Sequence, residues 1–353
     1  VQRVWDKDPF IRATLNSFCF DSDSIIQKID NSLIFKEWFA AAVKRTSTSV
    51  GADVRNLKAA KHRFESEAKP LGRFVMHIQA VMEVAHLIDK CRVGRAAAKD
   101  DSCRIARQFL QTVTAERLLQ TAMAADALDE GLTLCRFFDQ EKVDLAAIQG
   151  EIAEYFERLD YLFLHGACLT TKGYTSLCKA VLTTDKLQAI TSDGVAIALA
   201  SPDEETETRC LERMRNWVQL CKEIAATEFP NHDLFMAFGA LNIDEGGVAL
   251  RRTLKAREPV EPASGNKALS ADIRRLASVF KVDGMQLAHE LEVAKPVASR
   301  ILQSLQVRDN RVAWTQYAQR TQSRPSTSAS HPMTALGPVL ARSPDPHLRV
   351  PRP

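Results

Sequence analysis

The densest run of chemistry-bearing side chains is Lys61-His62-Arg63-Phe64-Glu65-Ser66-Glu67-Ala68-Lys69-Pro70-Leu71-Gly72-Arg73-Phe74. It holds five cationic or imidazole groups, two acids and two phenylalanines in fourteen positions. Cations grouped in this way neutralise nucleic-acid phosphates and release their counterions. Further basic positions follow at Arg92, Arg95 and Lys99, and again at Arg251, Arg252, Lys255 and Arg257. The candidates for DNA contact are Lys61, Arg63, Lys69, Arg73, Arg92 and Arg95. The plain alternative is a set of solvated helix ends. A formal charge of only +3 over 353 residues gives no global field toward nucleic acid, so any DNA contact has to be local.

Other chemistries find less. No Gly-x-Ser-x-Gly elbow occurs, and no cysteine has an obvious histidine partner. Asp193-Gly194 and Gly246-Gly247 read as turns, not as a phosphate-cradling loop, so no nucleotide cofactor is implied. His77, His86, Cys91 and Cys103 share a region, as do Cys168 and Cys178, but neither set has the short paired spacing of a zinc site. His77 and His86 are nine residues apart, about 900° of helical rotation, which puts them on opposite faces. Acid pairs stand at Asp129-Glu130, Asp139 with Glu141, Glu204-Glu205 and Asp244-Glu245. Each flanks a helix or turn, and nothing in the sequence joins two distant acids as a two-metal nuclease requires. No catalytic residue and no metal ligand is assigned.

The elements that must position these residues are helices. Asp8 before Pro9 suits an N-cap with proline in the first turn. Ser22 or Asp23 begins a second helix carrying Ile25, Ile26, Ile29, Leu33, Phe35, Trp38 and Phe39. A third starts at Asp53, runs into the basic stretch and stops or kinks near Pro70. The spacing of Phe74, Val75, Ile78, Val81, Met82, Ala85, Leu87 and Ile88 predicts a buried helix, and further helices are expected at 102–113, 115–138, 144–164, 173–182, 203–227 and 232–241. Asp144, Ser201 to Glu205, Ser270 and Asp283 are start signals. Leu187 to Ala200 reads as a short hairpin or as a loop with a helical turn. The fold class is therefore mainly α, an irregular multi-helix bundle.

Four regions are expected: a helical domain over 1–254, a linker over 255–269, a small helical unit over 270–319 and a tail over 320–353. The tail carries Pro325, Pro332, Pro338, Pro344, Pro346, Pro351 and Pro353 among Ser, Thr and Arg, and reads as disordered because it buries too little to offset ordering entropy. No apolar run nears the ~20 residues that span a bilayer. The eight scattered cysteines read as reduced, partly buried thiols of a nuclear or cytoplasmic protein. The chain opens on Val1 with no leader pattern, which reads as a fragment or processed product.

Three segments, in order, resemble transposases of the hAT (hobo/Activator) superfamily. Arg63-Phe64-Glu65-Ser66 resembles the Arg-Trp-x-Ser element that precedes that family's helical insertion. Phe229-Pro230 with Leu234 and Phe238 resembles its Phe-Pro-x-x-x-Leu-x-x-x-Phe segment. Leu276 to Asp283, with Leu287, Glu290 and Pro296, resembles the helical unit beyond. The resemblance covers about residues 60 to 305, and its landmarks are Arg63, Phe64, Ser66, Phe229 and Pro230. It implies the insertion part of a ribonuclease-H-like transposase. The family's two upstream aspartates, its Cys-x-x-His element and its third acid have no counterpart, since Cys19 is followed by Ser22 and the C-terminal region is proline-rich. The expectation is a helical fragment without nuclease activity, with protein association, self-association or auxiliary DNA contact as its role. A helical scaffold or adaptor unrelated to transposition is the competing expectation.

Overall fold

The structure is a computed structural model, and it describes residues 7–46, 65–90, 101–140, 143–183, 187–190, 196–199, 201–228, 232–243, 269–306, 309–322 and 335–341. These residues are mainly helical. They divide into two compact units, one of Val1–Arg136 with Tyr155–Ala225, the other of Phe137–Glu154 with Ala226–Pro353. The small unit expected at 270–319 thus belongs to a larger body that also takes in 137–154 and the chain from 226 onward. The expected linker at 255–269 lies, apart from its last residue, outside the described residues.

The first unit begins with α1 (Pro9–Leu15), whose start is capped by the Asp8 carboxylate accepting from the N–H groups of Phe10 and Ile11. A π-turn over Asn16–Phe20 follows. The single second helix expected from Ile25 to Phe39 is in fact two, α2 (Ile25–Asn31) and α3 (Leu33–Thr46). Ser32 adopts an extended conformation between them and its Oγ accepts from Phe35 N–H, so it ends one helix and caps the next. The break turns Leu33 and Ile34 to solvent, 81% and 56% exposed, instead of extending the apolar face.

Pro70 does not stop its helix. α4 (Glu65–Met76) runs through it, at the cost of one backbone hydrogen bond, and the interruption falls at His77, before α5 (Ile78–Lys90). Bonds from His77 N–H to the Arg73 carbonyl and from Val81 N–H to the His77 carbonyl carry the chain through that junction. After α6 (Asp101–Thr112) comes α7 (Ala115–Phe138), which is buried on nearly every face from Leu118 to Leu128. α8 (Ile148–Leu159), whose residues from Tyr155 belong to the first unit and earlier ones to the second, continues as a π-turn over Asp160–Leu164, and a 3₁₀ turn at Ala167–Leu169 leads to α9 (Tyr174–Thr183). Of the two readings of residues 187–200 the hairpin is correct: β1 (Gln188–Ile190) pairs antiparallel with β2 (Ala196–Ala198), Ala189 opposite Ile197. α10 (Glu204–Glu228) closes the unit, started by Asp203 accepting from Thr206 N–H at 2.8 Å.

Aromatic packing joins elements distant in sequence. Phe18, Phe74 and Phe109 come from the first π-turn, α4 and α6, with Phe18 centroids 5.3 Å from Phe74 and 5.4 Å from Phe109. Each such side chain, fully buried, contributes on the order of 1.5–3 kcal/mol of transfer free energy.

The second unit holds α11 (His232–Ala237) with a 3₁₀ turn over Phe238–Leu241, α12 (Ala271–Phe280), α13 (Gly284–Leu305) and α14 (Asn310–Gln322). Ser270 and Asp283 cap α12 and α13 through the N–H groups of Ile273 and Gln286. Pro296 lies inside α13 without ending it. The buried Asp144 carboxylate accepts from Ala146 N–H, from Asn310 N–H and from Asn310 Nδ2, while Asn310 Oδ1 accepts from Ile243 N–H. Trp314 Nε1 donates to the Leu241 carbonyl at 2.8 Å.

The tail requires a correction. A helix, α15 (Leu336–Ala341), lies within the stretch read as disordered, and Ala335, Leu336 and Val339 are buried in the core of the second unit. The proline-rich composition of the whole tail hid this one apolar run, which folds because it joins a core made elsewhere in the chain. Residues 323–334 and 342–353 lie outside the described residues.

Candidate functional site

The basic stretch yields no assembled surface. Lys61, Arg63, Phe64, Arg92, Arg95, Phe229 and Pro230 lie outside the described residues. Ser66 and Lys69 lie on α4, as does Arg73 in its last turn. Arg73 is half-buried, and its guanidinium helps to hold the His77 imidazole below its usual pKa, an effect due first to burial. Arg73 is thus placed against the interior of the first unit as well as its surface.

The residues considered for metal or nucleophilic chemistry are dispersed. No group of three or more His, Cys, Asp or Glu side chains able to hold a metal ion exists among the described residues. The Cys103 thiol donates to the Ile88 carbonyl at 3.3 Å. The seven described cysteines form no disulfide. Burial pushes the thiols of Cys168, Cys178, Cys210 and Cys221 up to about 12, so at neutral pH they are thiols, not thiolates.

One recess gathers chemistry that the sequence did not show. In the first unit a hollow of about 310 Å³ is lined by Met76 of α4, by Asp126, Asp129 and Glu130 of α7, by Leu162, by Thr171, Lys172 and Gly173, and by Tyr174 and Leu177 of α9. The α7 helix supplies its acids because Asp126, Asp129 and Glu130 fall three and four positions apart, on one face. Asp126 is itself 8% exposed. Its oxygens accept from Tyr174 N–H at 2.7 Å, Thr175 N–H at 2.9 Å and Thr175 Oγ1 at 2.5 Å, so it caps α9 from 48 residues away. Burial raises its pKa and those three bonds oppose the rise.

Glu130 is half-buried, its pKa raised by burial against the opposing pull of Arg158, whose Nε lies 2.7 Å from its carboxylate. Asp129 is exposed, as is Lys172. The Tyr174 phenol is raised by burial and then by the charges of Asp129 and Asp126, with Arg73 opposing. Its ring lies against the backbone of Gly72, where an added Cβ would stand 2.5 Å from Tyr174 Cζ. Glycine at 72 is what lets the ring approach. The walls are apolar and open: Met76 is 37% and Leu177 40% exposed, with Leu162 half-buried between charged neighbours.

Of these residues only Asp129, Glu130 and Arg73 were marked from sequence, the acids as solvated helix charges. Asp126 was missed, and one signal for it existed: it is the only charge within Leu118–Leu128, in a run of Ala, Met and Leu. An acid alone in an apolar stretch has to be satisfied from elsewhere. Compared with family models, with curated proteins and with solved structures, the chain has no match in any of the three. No helix among the described residues is long and apolar enough to cross a membrane.

Proposed function

We propose that the chain is a helical protein-association module without nuclease chemistry of its own, derived from the helical insertion of a hAT-type transposase. The observation that carries the association role is the recess of the first unit. Three carboxyl groups and one phenol ring face a hollow whose other walls are Met76, Leu162, Thr171, Gly173 and Leu177, with one cation, the exposed Lys172, at its edge. Such a lining suits a lysine or arginine side chain, whose aliphatic stem packs on apolar walls while its charge meets acids and an aromatic face. The same acids repel phosphate, which argues against this face as a nucleic-acid contact. The transposase descent is supported by the order of the three sequence segments. A scaffold of other origin performs the same association, and gene sequence upstream of Val1 distinguishes the two: strand-borne aspartates point to a transposon, an initiator methionine directly before Val1 against it.

The association reading is tested by titrating the full chain with two amphipathic helical peptides that differ only in a central lysine or glutamate. The lysine peptide should bind at least tenfold more tightly, and Asp129→Lys should erase the difference. Equal affinity for the two peptides sinks the reading. A duplex-binding titration at low and high salt, on the chain and on a variant with Arg63, Arg92 and Arg95 changed to Ala, tests the auxiliary DNA contact. Binding that falls with salt and is lost in the variant would establish it.

A further inference from the structure

The second unit holds an apolar groove that is already filled, and its occupant is a short piece of the tail. α15 packs against α12, α13 and α14, and Ala335, Leu336 and Val339 join a cluster that includes Leu287, Leu291, Ala294 and Trp314. Leu336 and Val339 are fully buried, three residues apart, and Leu340 adds partial burial. Glu290 reads the start of the segment. Its buried carboxylate accepts from Ala335 N–H at 3.3 and 3.2 Å and from Leu336 N–H at 2.7 Å.

Two features set this helix apart from a fixed core element. At six residues it is far below the length at which a helix holds itself in water, so the groove supplies its conformation. It is joined to α14 through the twelve residues 323–334, of which Ser323, Ser326, Thr327, Ser328, Ser330 and Thr334 are hydroxylic and Pro325 and Pro332 are prolines. Removing the segment takes away the three hydrogen bonds that Ala335 and Leu336 give to Glu290 and opens apolar surface. A buried carboxylate demands donors, so the vacated groove favours an occupant that presents backbone N–H groups at its start.

We propose that the groove formed by α12, α13 and α14 is a peptide-binding site, and that residues 335–341 fill it in cis as an exchangeable occupant. Its external ligand is a segment of a partner protein with the same pattern. That pattern is a small residue and Leu whose N–H groups meet Glu290, then an apolar residue three and four positions after the Leu. The mode is helix-in-groove recognition, with the tail as built-in competitor. It is independent of the recess in the first unit, and either can fail alone.

The test uses a labelled N-acetyl peptide with the sequence of residues 333–342 and a control with Asp in place of Leu336. Binding is followed by fluorescence polarisation. The full chain carrying Leu336→Asp should bind the peptide at least tenfold more tightly than the wild-type chain, whose groove is filled, and should ignore the control. Adding Glu290→Gln should weaken that binding several-fold. No binding by a Leu336→Asp chain with wild-type circular dichroism overturns the site. Unfolding of the second unit by Leu336→Asp overturns exchangeability, because the segment would then be integral core. A wild-type dimer that forms with concentration and is abolished by Leu336→Asp makes the occupant a second copy, and overturns the assignment to a partner.

Discussion

Asp126 in the first unit and Glu290 in the second do the same thing to different ends. Each is a buried acid in mid-helix, and each accepts the first N–H groups of a helix more than 40 residues later. The helix held by Asp126 is ten residues long and sinks Thr175, Cys178 and Leu182 into the core. The helix held by Glu290 has six residues. A tertiary cap on a long helix is part of the foundation, whereas on a short terminal helix it is a clasp.

The largest effect should come from breaking the foundation caps. Asp126→Leu strands two backbone N–H groups and the Thr175 hydroxyl, and Asp144→Leu strands the Ala146 and Asn310 N–H groups and leaves the Asn310 amide nitrogen with Asn242 Oδ1 alone. Each should cost about 3–5 kcal/mol, since each orphaned buried group costs roughly 1–3 kcal/mol before relaxation. Glu290→Leu should leave the denaturant midpoint near that of wild type while hydrogen exchange at 335–341 becomes fast. If Glu290→Leu is as damaging as Asp126→Leu, the distinction between foundation and clasp is wrong.

Glycines sharpen the comparison at the next scale. A Cβ at Gly72 meets the Tyr174 ring atoms at 2.5–2.8 Å, whereas one at Gly239 meets chiefly the amide end of Gln149. The Tyr174 ring has to shift as one rigid body toward the recess it borders, whereas the Gln149 amide can swing aside. Gly72→Ala should therefore lower stability by about 1–3 kcal/mol. Gly239→Ala should cost much less, and urea unfolding of both variants checks the order. Gly72→Ala should also weaken the lysine peptide, because Tyr174 is displaced from the recess wall.

The helix α7 offers an internal control. Gln120 is fully buried, and both its amide oxygen and nitrogen lack a hydrogen-bond partner among the described residues, six positions from the fully satisfied Asp126. Gln120→Met keeps the length and removes the unmet polarity, so it should stabilise the first unit by about 1–2 kcal/mol. A loss of stability would mean that Gln120 has a partner in solution.

These contrasts mark how far the sequence could be read. Caps that act three residues away were visible: Ser270 to Ile273 and Asp283 to Gln286 follow from local pattern alone. The short linking turn at Ser32 was harder, because the apolar spacing of Ile29, Leu33 and Phe35 continues through it and masks the cap that the Ser32 hydroxyl gives to Phe35 N–H. The recess was not legible. Its members come from four stretches between residues 76 and 177, and the sequence does not state which of several solvated acids faces which loop. The α15 clasp failed for the same reason, since composition averages over a tail and a single apolar run is lost in the mean.

The smallest predicted effect separates the units by pH. His77 lies at the α4–α5 junction, edge-on to Phe39 with centroids 5.9 Å apart, and burial and then Arg73 lower its pKa below the ordinary 6.5. An imidazole held neutral in the folded state stabilises above its unfolded pKa, and that contribution is lost as pH falls through the folded value. Asp126 and Asp144 run the other way. Burial raises both above 3.8, so the stability they contribute is fully present below that value and is lost as pH rises through their folded pKa values. His77→Phe deletes the histidine contribution alone and leaves Asp126 in place. The stability difference between His77→Phe and wild type should therefore widen in favour of the variant as pH falls from 7 to 5. Asp144→Asn, which removes an acid of the second unit, should show no such trend with His77 across that range. Denaturant unfolding of the four chains of this double-mutant cycle at pH 7, 6 and 5 measures it. A flat difference for His77→Phe would mean that the imidazole takes up its proton in the folded state without penalty, because the α4–α5 junction opens to water around it.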